Sequence, residues 1–349
     1  MSIRFGIIGC GAIGQRRHIP ECDGNPHTTI AALCDVNASR VRQIAEKYGV
    51  GGVYTDYREM LRQEELDAVV VGTPNAVHAE QSIAALKAGC HVLVEKPMAG
   101  TLKEARAMID AAKQAKKFLM VGQNQRLASA HVKAKKILDS GVLGRALAFQ
   151  TTFKHRGPDG WSVDGAKSWF FDRKQAVMGV CGDLGVHKID LMRYLLGQEF
   201  TEVQAMMSTI DKTYPNSSRK IDVEDNAFLN VVTDKGVIGS VTISWTNYGQ
   251  FEDNGTTIFC EKGVLTIATD PQYGVVVHFL DGGKEFHKVG QMATNEKQVG
   301  SGIMDMFVAG IRANKAPPID GAEGYRSLEV ILGAFESVKT GKTIKVKGL

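Results

Sequence analysis

The chain has 349 residues, 44% of them hydrophobic and 23% charged, and a formal net charge of +4. That length exceeds one ordinary core and points to two domains, while the absence of a bilayer-length apolar run and of a basic–apolar–small N-terminal pattern argues against a membrane partner or an export signal. Six scattered cysteines with no C-x-x-C pair argue against a disulfide framework and a zinc knuckle, so no metal is expected and a reducing cytoplasm fits best.

In chain order, residues 4–8 read as a buried strand that runs into Gly9-Cys10-Gly11-Ala12-Ile13-Gly14, and a second apolar run, 29–34, ends on Asp35. Strand, glycine turn, helix and terminal acid is the layout of a dinucleotide site. Gly9 permits the tight turn, Gly11 lets backbone approach a pyrophosphate, and Gly14 lets the helix pack close. Ala12 and Ile13 lie in the same turn. Asp35 is placed to accept ribose hydroxyls and to repel a 2′-phosphate, which favours NAD over NADP. Its alternative is a cap for a helix over 37–47. Arg40 opposes the preference if it swings over the ribose, and Arg16 and Arg17 are either near the phosphates or solvated.

Runs 67–71, 90–94 and 118–121 are apolar without alternation, as in strands buried on both faces of a parallel sheet. Helical periods fill 75–87 and 101–117, where Thr101 and Glu104 have capping-box spacing. Thr73-Pro74-Asn75 follows a strand end, where such sheets bind ligands, and is a candidate for the nicotinamide half; the alternative is a plain turn. His78, within the next helix, joins the candidate cofactor contacts with no catalytic role. Glu95-Lys96-Pro97 ends the next strand. A lysine there can hold a substrate oxygen and stabilise charge on it as hydride leaves, and Glu95 either orients cofactor or pairs with Lys96.

After residue 122 the pattern changes. A helix over 129–139 precedes a strand over 145–153. The basic groups Lys113, Lys116, Lys117 and Lys133, Lys135, Lys136 fall on expected helix faces without interleaved aromatics, which argues against nucleic acid. A helix lies within 176–196. Strand-like runs at 201–210, 226–233, 237–247, 256–260, 264–268 and 275–280, with turns at 234–236 and 261–263, predict a large, mainly antiparallel sheet. Helices near 302–313 and 322–339 close the chain. The expected fold is α/β: a doubly wound parallel sheet over 1–122, then an α+β domain over 123–349. Phe228, Trp245 and Phe259 are expected on a sheet face not covered by helices, which suggests self-association. Asp183 and His187 fall one helical turn apart. Histidine accepts a proton near neutral pH, and an adjacent acid supports it; the alternative is a capping Asp183 and a half-buried His187.

Together, Gly9-x-Gly11-x-x-Gly14, Thr73-Pro74-Asn75, Glu95-Lys96-Pro97 and Asp183-x-x-x-His187 followed by Ile189-Asp190 make the chain similar, over nearly its whole length, to the family of glucose–fructose oxidoreductase, inositol dehydrogenase and the rhizopine catabolism oxidoreductase (Gfo/Idh/MocA). The resemblance implies a Rossmann domain, a C-terminal domain with an open sheet used for a homodimer or homotetramer, and a catalytic set on Lys96, Asp183 and His187. It also places Gln123 at the cofactor and Arg126 at the substrate. It implies an NAD-dependent dehydrogenase of small sugars, sugar derivatives or cyclitols.

Residues 154–175 read as a long loop rich in charge and tryptophan. Trp161 and Trp169 are candidates to stack on a sugar face, their charged neighbours among Lys154, His155, Arg156, Asp159, Asp164 and Lys167 to hold hydroxyls, and Arg156 and Lys167 to bind a phosphate; a salt-bridged surface loop is the alternative. Two rival functions remain at this point: glycoside cleavage through transient oxidation and elimination, and a dinucleotide sensor without turnover.

Overall fold

The computed structural model describes residues 2–249, 251–290 and 300–349. The chain divides into two compact units, one of Met1–Asn124, Trp161–Val163 and Ala293–Tyr325, the other of Gln125–Gly160, Asp164–Met292 and Arg326–Leu349.

The first unit alternates strand and helix: β1 (Ile3–Ile8), α1 (Ile19–Gly24), β2 (Thr28–Cys34), α2 (Ala38–Tyr48), β3 (Gly52–Tyr54), α3 (Tyr57–Gln63), β4 (Ala68–Val71), α4 (His78–Lys87), β5 (His91–Val94), α5 (Leu102–Ala115) and β6 (Leu119–Val121). The six strands are parallel in the order β3-β2-β1-β4-β5-β6. The order reverses between β1 and β4, the switch point at which doubly wound sheets bind nucleotides. All four residues of β4 are buried, which is why that run shows no polar alternation. Thr101 caps α5, accepting the Glu104 amide at 3.2 Å. Later residues complete this core: α9 (Ile303–Ala313) places Phe307 edge-on to Phe5 at 6.1 Å, and the Val121 amide donates to the Ile319 carbonyl.

The second unit holds α6 (Ser129–Asp139), β7 (Ala146–Lys154), α7 (Arg173–Ala176), α8 (Val186–Leu196), β8 (Phe200–Ser208), β9 (Asn226–Thr233), β10 (Ile238–Ser244), β11 (Thr256–Cys260), β12 (Gly263–Ile267), β13 (Val275–Phe279), β14 (Lys284–His287) and β15 (Ile344–Lys345). The helix α10 (Gly321–Thr340) leads into β15. The nine strands form one sheet, β14-β13-β12-β11-β7-β10-β9-β8-β15, antiparallel except for β7 beside β10.

Alternation decides which side chains face the helices. Val241 and Ile243 of β10 point inward, as do Ala227, Leu229 and Val231 of β9 and Ile258 of β11. The other face exposes Met206, Phe228, Ile238 and Phe259. Trp245 corrects the sequence expectation. It continues the inward parity of 241 and 243 and is wholly buried, not part of the open face. The span 154–175 is a string of short 3-10 turns ending in α7 rather than featureless loop.

Among the described residues no helix is long and apolar enough to cross a membrane. All six cysteines are unpaired and buried. Burial pushes Cys10, Cys22 and Cys34 up to about 12, so none of these three is a thiolate nucleophile near neutral pH.

Candidate active site

β1 delivers the chain to Gly9, whose φ of +102° is open to glycine. A Cβ there would stand 2.4 Å from the Gly72 carbonyl oxygen, and one on Gly14 would stand 2.3 Å from the Gly9 oxygen. Nothing lies within 4 Å of the place a Cβ on Gly11 would take. Two glycines therefore close the turn, and the middle one leaves backbone bare, the cradle a pyrophosphate needs. The chain continues through a π-wound segment, Gly14–His18, into α1.

Asp35 ends β2 beside this turn, with Oδ2 accepting the Cys10 amide and Oδ1 the Asn37 amide, both at 2.8 Å. It is not the cap of α2, because Asn37 fills that place by accepting the Arg40 amide at 3.0 Å. The Arg40 guanidinium lies 3.6 Å from Asp35 Oδ1, so the two candidates are ion-paired.

At the ends of β4 and β5, Thr73-Pro74-Asn75 and Glu95-Lys96-Pro97 form adjoining loops; the Lys96–Pro97 peptide is cis. His78 ties them together. Its Nδ1 lies 2.9 Å from the Pro97 carbonyl and its Nε2 2.8 Å from that of Thr73. Burial pulls its pKa down. Both ring nitrogens are engaged with protein, so His78 braces the two loops rather than presenting a ring nitrogen to a cofactor. Asn75 and Gln123 are buried in the same unit.

Glu95 is buried as well. Its Oε1 meets Arg17 Nη1 at 3.0 Å and His18 Nε2 at 2.8 Å, and its Oε2 accepts the Lys96 amide at 3.2 Å. Burial alone would raise this carboxyl, but Arg17, His18 and Lys96 together outweigh it and hold it below the usual carboxylate range. Arg17, read from sequence as a phosphate-side or solvated group, is instead buried on Glu95. This pair fixes the β5 loop from which Lys96 projects.

In the second unit, Asp183 lies in a π-wound turn, Cys181–Gly185, that runs into α8, where His187 follows. Asp183 does not cap the helix. Glu224 does equivalent work there, since its Oε1 accepts the Gly179 amide at 2.8 Å and the Cys181 amide at 3.1 Å. A Cβ on Gly185 would stand 2.7 Å from Ile243 Cδ1, so this glycine lets the turn settle on the sheet. Asp183 Oδ2 accepts the indole N–H of Trp245 at 3.0 Å. His155, at the end of β7, faces the same oxygen, with Nε2 3.7 Å away. Its Nδ1 accepts the Gly157 amide at 2.9 Å, which leaves the proton on Nε2 and directs it at Asp183. Phe153 packs near both histidines, 5.8 Å from the His155 ring and 6.2 Å from the His187 ring. The sequence offers His155 only as one of the charged residues crowding the stretch after this strand, with no tie to Asp183, and offers no role for Glu224.

The expected substrate contacts fare unevenly. Arg126 holds Asp190 with two hydrogen bonds of 2.7 and 2.5 Å, so its guanidinium is tied into the protein. Lys154 pairs with Asp253 at 3.2 Å. Arg156 is exposed, and its carbonyl accepts Lys212 Nζ at 2.5 Å. Trp169 stacks on Phe170 at 3.9 Å, which covers one ring face. Trp161 is half-buried and falls within the first unit. Among the described residues, no three of His, Cys, Asp and Glu are grouped to hold a metal ion.

Lys188, beside His187, is wholly buried, with Nζ 3.3 Å from the Asn254 carbonyl. Burial pulls its pKa from 10.5 to about 7, against the opposing pull of Glu252 and Asp253. The unfolded chain therefore binds more protons between those values, and stability attributable to this group rises with pH from about 7 towards 10.5. Lys188→Met is expected to raise Tm, and the gain at pH 6 should exceed the gain at pH 9. Equal gains, read by calorimetry at both pH values, would contradict this.

A parallel sheet with this switch point, a bare glycine turn and an acid at the end of the second strand defines a dinucleotide-binding protein. The comparisons give the family. Residues 3–123 match the Gfo/Idh/MocA oxidoreductase family, NAD-binding Rossmann fold, and residues 131–266 match the GFO/IDH/MocA C-terminal domain. The chain belongs to the Gfo/Idh/MocA family and is an NAD-dependent oxidoreductase. It is 33% identical to levoglucosan dehydrogenase of Pseudarthrobacter phenanthrenivorans over 64% of this chain and 62% of that one. It is 29% identical to 1,5-anhydro-D-fructose reductase of Ensifer adhaerens over 99% and 98% of the two chains. A levoglucosan dehydrogenase structure in complex with NADH and levoglucosan superposes with a TM-score of 0.87 at 26% identity, covering 99% of this chain and all of the other.

Proposed function

We propose that the protein transfers hydride between a secondary hydroxyl carbon of a sugar, sugar derivative or cyclitol and NAD, with His187, Asp183 and Lys96 as the catalytic set. The names of the relatives, which act on anhydro sugars, support this substrate class. NAD supplies the hydride acceptor. Lys96 holds the substrate oxygen and stabilises the charge that develops on it. His187 takes the hydroxyl proton, and Asp183 supports the imidazole. Glu95 and its partners keep the Lys96 loop in place. The observation that carries the reading is the Asp183 carboxylate, buried and held by Trp245 beside His155 one turn from His187.

The second unit is proposed to set substrate choice, with Trp169 as one side of the sugar site. Its open sheet face, which exposes Met206, Phe228, Ile238 and Phe259, is proposed as the contact of a homodimer or homotetramer. Six unpaired cysteines fit a cytoplasmic setting.

A screen for NADH formation with levoglucosan, hexoses, sugar acids and inositols tests the reading. Turnover of at least one, with none on simple primary alcohols, is the expected result. Cleavage of a glycoside with no net NADH would replace it by oxidation and elimination, and NAD binding without any turnover would refute it.

A further inference from the structure

Trp245 is the largest wholly buried side chain among the described residues, and its N–H is directed at a carboxylate rather than at a backbone carbonyl. An indole N–H only donates, and it does not titrate in the working range of an enzyme. It is therefore a fixed donor, matched to an acceptor that must stay in one place.

The residue carrying it is fixed from two sides. Its backbone amide donates to the Asp225 carbonyl at 2.8 Å. Asp225 in turn gathers the amides of Ile210, Asp211 and Lys212 at 2.7 to 2.8 Å, so this anchor is itself immobile. The ring is met edge-on by Phe171 at 6.1 Å and by Phe170 at 6.4 Å. Phe170 carries Trp169 stacked on its face. A continuous aromatic series thus runs from Trp169 through Phe170 to the indole, and from the indole N–H to Asp183.

We propose that Trp245 is a positioning residue for Asp183: its N–H fixes the carboxylate, and its ring couples that carboxylate to the Trp169–Phe171 turn. This rests on the reading of Asp183 as the support of His187. A sugar pressing on Trp169 would then bear on the same series that seats Asp183, so binding and proton acceptance would be linked through packed rings rather than through a charge.

The full-length protein labelled with indole-15N tryptophan tests the bond directly. Its three tryptophans give three indole signals, assigned by elimination with Trp161→Phe and Trp169→Phe. The Trp245 signal is expected to exchange slowly with deuterium, and in Asp183→Ala to move and exchange at least tenfold faster. A Trp245 signal indifferent to Asp183→Ala overturns the proposal. With the polyol found in the NADH screen, Trp245→Phe should lower kcat about 10- to 100-fold, the range for losing a hydrogen bond to a charged group. The KM for NAD should stay within about twofold, and Trp245→Phe with Asp183→Asn should be no slower than Asp183→Asn alone. Losses that multiply, or an unchanged kcat in Trp245→Phe, overturn the positioning role. If no polyol is oxidised, the functional reading fails, while the indole signal still supports or overturns the bond.

Discussion

Replacing Lys96 with alanine is expected to lower turnover about 10²- to 10⁴-fold, the range for removing an oxyanion donor or a proton-transfer group, with little change in NAD affinity. The reason lies in the separation of tasks within the first unit. The glycine turn and Asp35, at the ends of β1 and β2, are the proposed nucleotide cradle. Lys96 stands at the end of β5, on a loop braced by His78 and Glu95. Loss of its ammonium removes one of the three charges that hold Glu95 ionised but leaves the hydrogen bonds of both braces in place, since these use the Pro97 carbonyl and the Lys96 backbone amide. Steady-state kinetics and NAD titration of the variant check this. Equal losses of turnover and NAD affinity would move Lys96 from the reacting oxygen to the cofactor.

The second large effect is on stability. Glu95→Ala should cost about 3–5 kcal/mol, because it leaves a buried guanidinium without its carboxylate, a large share of the roughly 5–15 kcal/mol that holds a protein folded. Arg17 reaches Glu95 at 3.0 Å with both side chains almost wholly buried. The carboxyl is held below its ordinary value of 4.5. Its contribution is thus complete above that value and is lost as pH falls from there through the lowered value. Urea unfolding at pH 7 should show the difference, and it should narrow steadily below pH 4.5. A variant as stable as the parent at pH 7 would mean that Arg17 finds another partner or water.

Local patterns made much of this molecule legible. The glycine turn and the unbroken apolar runs of β4 and β5 are short-range signals, and each is where it was expected; the Asp183–His187 spacing is short-range too, with Asp183 in a π-wound turn just ahead of the helix that holds His187. Trp245 was legible too. Val241, Ile243 and Trp245 alternate with Thr242 and Ser244, and that parity points the indole inward; reading aromatic content alone put it on the wrong face. What could not be read were contacts made across the chain. Arg17 and Glu95 are 78 residues apart, and Arg126 and Asp190 are 64 apart. No spacing rule brings such partners together, so Arg17 read as a phosphate-side or solvated group and Arg126 as a substrate contact. The very short strands β3, β14 and β15 were missed for another reason. Two to four residues that lack the unbroken apolar character of β4, β5 and β6 carry too little pattern to register, and neighbouring strands define them instead.

The most direct test of the central claim is a kinetic cycle of Lys96→Ala, His187→Ala and the double variant on one polyol. Two groups that act on a single hydroxyl work as a unit, so the double variant should be about as slow as the slower single one. Full multiplication of the two losses, or a His187→Ala variant with undiminished kcat, would contradict a shared role in removing that hydroxyl's proton.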